Sequence, residues 1–195
     1  GDHDGFIYVF LNRNTDADPV FGQGQRLRAV DTGDPFIVQL NPKMSFGDLT
    51  GTGSLDLVLG NYAGRIAFVP NRACEGTFAF AIEDIEFLRT GSGDIDVGNY
   101  AYPELVDWNG DGRLDLYFLN QVGANELWRN LGDGRFEPLT TSPALAVEEA
   151  ISSGAAFGDI DNDGDPDLLV TTFRGGNHLF ENVGVGEFVD VTEGS

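Results

Sequence analysis

One nine-residue pattern, written three times, constrains this chain more than any other feature. Residues 48–56 read DLTGTGSLD, 107–115 read DWNGDGRLD and 159–167 read DIDNDGDPD. Each opens and closes on aspartate and carries glycine at its sixth position, and the starts lie 59 and 52 residues apart. A second landmark keeps the same interval: the asparagine that ends a hydrophobic stretch, at Asn12, Asn71, Asn130 and Asn182, recurs after 59, 59 and 52 residues. Two independent landmarks with one period mean that the chain is built from a repeated unit.

Within a unit the order of segments is constant. A short apolar run (KMSFGD, PELVD, AAFGD) enters the acidic loop and a second (LDLVLG, LDLYFLN, PDLLVTT) leaves it. A glycine turn at Gly64, Gly123 or Gly176 leads to a third run that ends at the asparagine, and a fourth starts at Phe78, Phe136 or Phe188. Runs of this length, rich in β-branched and aromatic residues and bounded by turn residues, predict strands. Four antiparallel strands per repeat is the pattern of a propeller blade. The expected fold is therefore all-β, with about three and a half blades in one repeat domain. Residues 1–35 form a half blade, because GDHDGFIYVFLN aligns with GNYAGRIAFVPN at 60–71; whole blades cover 40–90, 97–141 and 151–195.

The acidic loops carry the chemistry. Carboxylates at alternate positions repel one another unless a cation gathers them, and Ca²⁺ takes six to eight oxygens at flexible geometry around a turn that needs glycine at position six. The expected ligands sit at positions one, three, five and nine, with the backbone carbonyl of position seven. These are Asp107, Asn109, Asp111, Arg113 (carbonyl) and Asp115 around Gly112, and Asp159, Asp161, Asp163, Asp165 (carbonyl) and Asp167 around Gly164. The first copy is degenerate: Asp48, Ser54 (carbonyl) and Asp56 remain, with neutral Thr50 and Thr52 between them. It reads equally as a weak metal loop or as a plain acidic turn. Because ligand charge tunes affinity, binding should weaken from 159–167 to 107–115 to 48–56. EF-hands do not fit, since position twelve is Phe118 or Val170 rather than glutamate and the exit is strand-like. Magnesium, which keeps its waters and demands an octahedron, fits an all-protein ring less well.

The formal net charge is −21, with Lys43 the single lysine, which argues against nucleic-acid or anionic-membrane partners. No apolar run reaches the roughly 18 residues of a membrane span. A lone Cys74 excludes an internal disulfide framework and reads as a small, partly buried residue. With no initiator Met and no signal pattern at its start, the sequence reads as a mature or excised segment. No G-x-S-x-G elbow is present, His3 and His178 belong to no catalytic constellation, and the paired carboxylates are committed to the loops. The expectation is a protein that is not an enzyme.

FGDIDNDGDPDLLV followed by NHLFENVGVGEF, and DWNGDGRLDLYFLN followed by NELWRNLGDGRF, resemble FG-GAP/VCBS repeats, the calcium-bearing blades of integrin-like β-propellers. The stretch from Ala144 onward is further similar to the branch associated with UnbV/ASPIC domains and cartilage acidic protein. The resemblance implies an extracellular or cell-surface location, with the periplasm as the alternative. It also implies a non-catalytic role in adhesion, glycan or protein binding, or assembly with itself or with other propeller segments. Trp108, Trp128, Tyr62, Tyr100, Tyr102 and Tyr117 are candidates for a sugar-stacking platform; of these, Tyr117 and Trp128 are expected to pack between blades, and Trp108 is expected to point outward toward a partner.

Overall fold

The computed structural model describes residues 4–37, 43–73, 77–98, 100–148, 150–184 and 186–192. His3 and Cys74 lie outside them. The chain is all-β. Its first sheet pairs β1 (Tyr8–Val9) with β2 (Gln25–Arg26) and is lengthened by the bridges Phe6–Ile37, Asn12–Phe21 and Arg28–Pro35. Three four-stranded antiparallel sheets follow. The second contains β3 (Lys43–Gly47), β4 (Asp56–Gly60), β5 (Ile66–Val69) and β6 (Glu86–Phe87). The third contains β7 (Ala101–Val106), β8 (Asp115–Asn120), β9 (Glu126–Gly132) and β10 (Arg135–Pro138). The fourth contains β11 (Ser152–Gly158), β12 (Asp167–Thr172), β13 (His178–Asn182) and β14 (Phe188–Asp190). In each, neighbours in sequence are neighbours in space, which is the meander of a propeller blade. The chain thus amounts to about three and a half blades. Among the described residues, no helix is long and apolar enough to cross a membrane.

The core lies between sheets. Strand alternation sends Leu57 and Leu59 of β4 back toward Ile7, Leu27 and Phe36 of the first sheet, and Val58 forward. Leu116 and Phe118 of β8 pack back against Val58 and Ile66, while Tyr117 and Leu119 pack forward on Leu168, Val170 and Phe180. Because both faces of β4 and β8 are covered, their residues are apolar without alternation, as for any strand buried on two sides. Each fully buried large apolar side chain contributes about 1.5–3 kcal/mol. Glycine permits close approach between sheets: a Cβ on Gly60 would sit 2.1 Å from the carbonyl oxygen of Ala101 in the next sheet.

Two expectations change. The fourth strand of the second sheet does not begin at Phe78; it is the short β6, from Glu86. Residues 78–80 are drawn toward the first sheet instead. Phe80 stacks on Phe78 and packs at a tilt against Phe36 in the core beneath it, and the amide of Val30 donates to the Phe80 carbonyl at 2.9 Å. Nor does Trp108 face outward. It is 3% exposed, seated on Phe188 and over Gly186 of the fourth sheet, where any Cβ would meet the indole at 2.3 Å. The loop's second position is an inter-sheet plug, and a large apolar ring gains more by burial there than by projecting into water. Tyr117 and Trp128 do lie between sheets. Trp108→Ala should cost about 3–5 kcal/mol in urea unfolding, the range for emptying a buried aromatic site; a loss within about 0.5 kcal/mol would be that of a surface residue.

Candidate metal centre

Each acidic loop is a tight connection between the first two strands of a sheet, and all three share one backbone. The sixth-position glycines adopt left-handed φ, +82° at Gly53, +80° at Gly112 and +102° at Gly164. The fourth position does the same, at Gly51 (+70°), Gly110 (+68°) and Asn162 (+64°). This second left-handed residue was legible only as the Gly, Gly, Asn choice at that position, the residue types that tolerate the conformation. The turn wraps amides around the first aspartate: Gly53, Gly112 and Gly164 each donate to Oδ2 of Asp48, Asp107 and Asp159, at 2.8, 2.8 and 3.2 Å.

The ninth-position aspartate anchors the loop to the rest of its sheet. Asp56, Asp115 and Asp167 are no more than 1% exposed. Their Oδ1 atoms accept the backbone N–H of Asn71, Asn130 and Asn182 at 2.9, 2.7 and 2.8 Å. The two landmarks that set the repeat period are therefore hydrogen-bonded partners. The asparagine amide then folds the following turn, Oδ1 accepting from Ala73, Gly132 or Gly184 two residues on. Asn12 does this in the first sheet, accepting from Asn14 and Val20. Asn182 also reaches the preceding sheet, its Nδ2 donating to the Trp108 carbonyl at 2.9 Å.

The loops differ in what faces the remaining carboxylate oxygen. In 159–167, oxygens of Asp159, Asp161 and Asp167 all lie within 4.8 Å of one another, a spacing that one hard cation can bridge. The Asp161 carboxyl is raised: the Asp163 amide pulls it down, but burial and the charges of Asp163 and Asp167 outweigh that bond. Asp163 accepts the Asp165 amide at 2.9 Å and stands outside the trio. In 107–115, Asn109 donates to Asp115 Oδ2 at 3.2 Å, and Asp111 pairs with the Arg113 guanidinium at 2.6 Å. Arg113 also donates to the Asn130 carbonyl, a side-chain role that its position gave no reason to expect. Burial pushes the Asp115 carboxyl up to about 7; the Asn130 amide opposes this and the charges of Asp111 and Asp107 add to it. In 48–56, the Thr50 hydroxyl donates to Asp56 Oδ2 at 2.9 Å and lies 3.2 Å from the Thr52 hydroxyl. That loop closes on neutral groups.

The donor sets of 107–115 and 159–167, all oxygen and mostly anionic, suit calcium. The raised Asp115 carboxyl gives a signature without metal. Its folded value near 7 exceeds the unfolded value of about 3.9. The folded chain therefore holds an extra proton between these limits, and the stability it brings is full below about pH 4 and lost as pH rises through 7. In chelator, Asp115→Asn should match the parent protein near pH 4 by thermal unfolding and exceed it by pH 8. A difference that stays constant with pH would contradict the buried-carboxyl assignment.

The family model for an FG-GAP-like repeat matches residues 107–170 and, overlapping, 159–195, the part of the chain that holds the two acid-rich loops. No curated protein matches the sequence. Among solved structures, the chain is similar to a lectin of Agrocybe aegerita whose structure was described for specific recognition of non-reducing terminal N-acetylglucosamine. The TM-score is 0.60 at 18% identity, over 95% of this chain and 51% of the lectin's. The chain thus spans about half the length of that lectin, and the likeness is one of fold. The third and fourth sheets are thus the part of the chain similar to FG-GAP-like repeats, within an all-β fold of propeller blades.

Proposed function

We propose that this chain is a calcium-stabilised propeller segment, extracellular or at the cell surface, that works without catalysis as a ligand-binding or adhesive module. The observation that carries the reading is the convergence of Asp159, Asp161 and Asp167 on a loop whose backbone recurs in two other sheets. Asp159, Asp161, Asp163, the Asp165 carbonyl and Asp167 would hold one ion, and Asp107, Asn109, Asp111, the Arg113 carbonyl and Asp115 a second. Calcium there supplies positive charge that offsets the mutual repulsion of the carboxylates. The protein's own part is to pin the ninth aspartate to the third strand, so that ordering the loop also orders the sheet. Loop 48–56 stands on its threonine hydroxyls and gains least. The FG-GAP-like match over the two acid-rich loops supports this, and the fold shared with a glycan-binding lectin supports a binding role.

Binding confined to the folded state stabilises it in proportion to the logarithm of ligand concentration. Asp161→Ala should remove most of the calcium-dependent rise in melting temperature while changing little in chelator. Equal losses in both conditions would remove the metal role.

A second reading, assembly with a further propeller segment, is favoured by the outer face of the fourth sheet. Val58 and Tyr117 are fully buried by the sheet that follows them, but Leu169 at the same register is 39% exposed, and Ile160, at the position of Trp108, is 53% exposed. Sedimentation in calcium should show self-association that Leu169→Lys abolishes; a monomer at all concentrations would count against it.

A further inference from the structure

A pocket at the other end of the sheets from the acidic loops is unlike any other place in the molecule. It lies at the junction of the second and third sheets, has a volume of about 310 Å³, and is lined by Lys43, Asn61, Tyr62, Tyr100, Tyr102 and Gln121. The chain has five tyrosines, and three of them meet here, together with its single lysine. Tyr102 forms the floor: Lys43 Nζ lies 4.3 Å above its ring centroid, and Gln121 Nε2 donates to its hydroxyl at 2.9 Å. Tyr62 and Tyr100 form the wall, edge to face with centroids 4.5 Å apart. Tyr62 is 59% exposed, far more than a ring placed for packing needs.

Repeat symmetry shows that this is an addition to the blade and not part of it. The register that pairs Lys43 with Gly60 pairs Tyr102 with Leu119 and Gly154 with Thr171, so the three residues are equivalent. Between the third and fourth sheets, the matching junction is closed by Asn125 donating to the Ser152 hydroxyl at 2.8 Å. Only the junction of the second and third sheets is built from tyrosines. Tyr100 moreover holds a φ of +61°, a conformation that bulky residues rarely adopt and that clusters at ligand sites. Its amide is fixed to the Tyr62 carbonyl at 3.2 Å and that of Ala101 to the Asn61 carbonyl at 3.2 Å, so the strained turn is held across the sheet junction.

We propose that this pocket is a carbohydrate subsite that takes one terminal, uncharged pyranose. The volume, at the low end of the roughly 300–1,000 Å³ of small-molecule sites, admits a single ring rather than a chain. Phenol faces offer apolar area with a polar tip, which matches the C–H face and hydroxyl rim of a sugar. Lys43, which makes no ion pair among the described residues, and Gln121 supply donors beside that rim. The net charge of −21 disfavours a polyanionic glycan. The proposal rests on the ligand-binding reading above and names its site and ligand class.

The test is saturation-transfer NMR on the whole chain in calcium, with the methyl glycosides of glucose, galactose, mannose and N-acetylglucosamine. At least one should receive saturation at its ring C–H protons. Tyr62→Ala, an exposed substitution, should weaken that binding by at least about tenfold with an unchanged calcium melting shift, and Lys43→Gln should retain part of it. Absence of transfer to all four, or transfer unaffected by Tyr62→Ala, overturns the proposal. So does binding of sulfate or acetate alone that Lys43→Gln abolishes, which would make the pocket an anion site. A normal calcium shift without sugar binding removes only the subsite, whereas loss of the calcium shift with sugar binding intact removes only the metal reading.

Discussion

The structure depends on one buried hydrogen bond repeated three times: the ninth aspartate of each loop accepting the backbone N–H of an asparagine fifteen residues on, as at Asp167 and Asn182. A carboxylate at 0–1% exposure is costly to bury, and a bond from an amide returns only about 1.5–3 kcal/mol of that. The remaining oxygen needs its own compensation. The loops meet this need differently: a threonine hydroxyl at Asp56, an asparagine amide and a raised pKa at Asp115, and at Asp167 the Ile160 N–H at 2.8 Å, beside acids whose charges add to the cost. A cation at the last two sites would relieve what hydroxyls already relieve at the first.

From that bond the rest of a sheet is organised. It ties the loop between the first and second strands to the end of the third, and the asparagine side chain then shapes the turn into the fourth. Through Asn182 and the Trp108 carbonyl it also joins one sheet to the next. Trp108, the second residue of its loop, plugs the same junction, so the candidate metal loop and inter-sheet packing share one segment. A disturbed loop should therefore loosen a sheet boundary as well as its own turn.

Much of this was legible. Period, strand order and the acidic positions followed from spacing, because turn chemistry and two-sided burial leave strong marks on sequence. Trp108 was misread because its neighbours in the pattern are exposed acids; only three-dimensional stacking shows that position two is covered. Phe78 does not open a strand as Phe136 and Phe188 do, although it too follows a glycine-rich turn, because its segment is held by Phe80 against Phe36 of the first sheet, a contact between sheets. The tyrosine pocket was visible only as loose candidates. Tyr62, Tyr100 and Tyr102 come from two sheets, and their meeting depends on how those sheets stack.

The most direct test of the account is amide hydrogen exchange at Asn71, Asn130 and Asn182, measured in chelator and in calcium. If a cation shares the buried aspartate with the asparagine amide, protection should rise most at Asn182, next at Asn130 and least at Asn71, whose partner Asp56 is already satisfied by Thr50. Equal responses at all three, or none at Asn182, would contradict it.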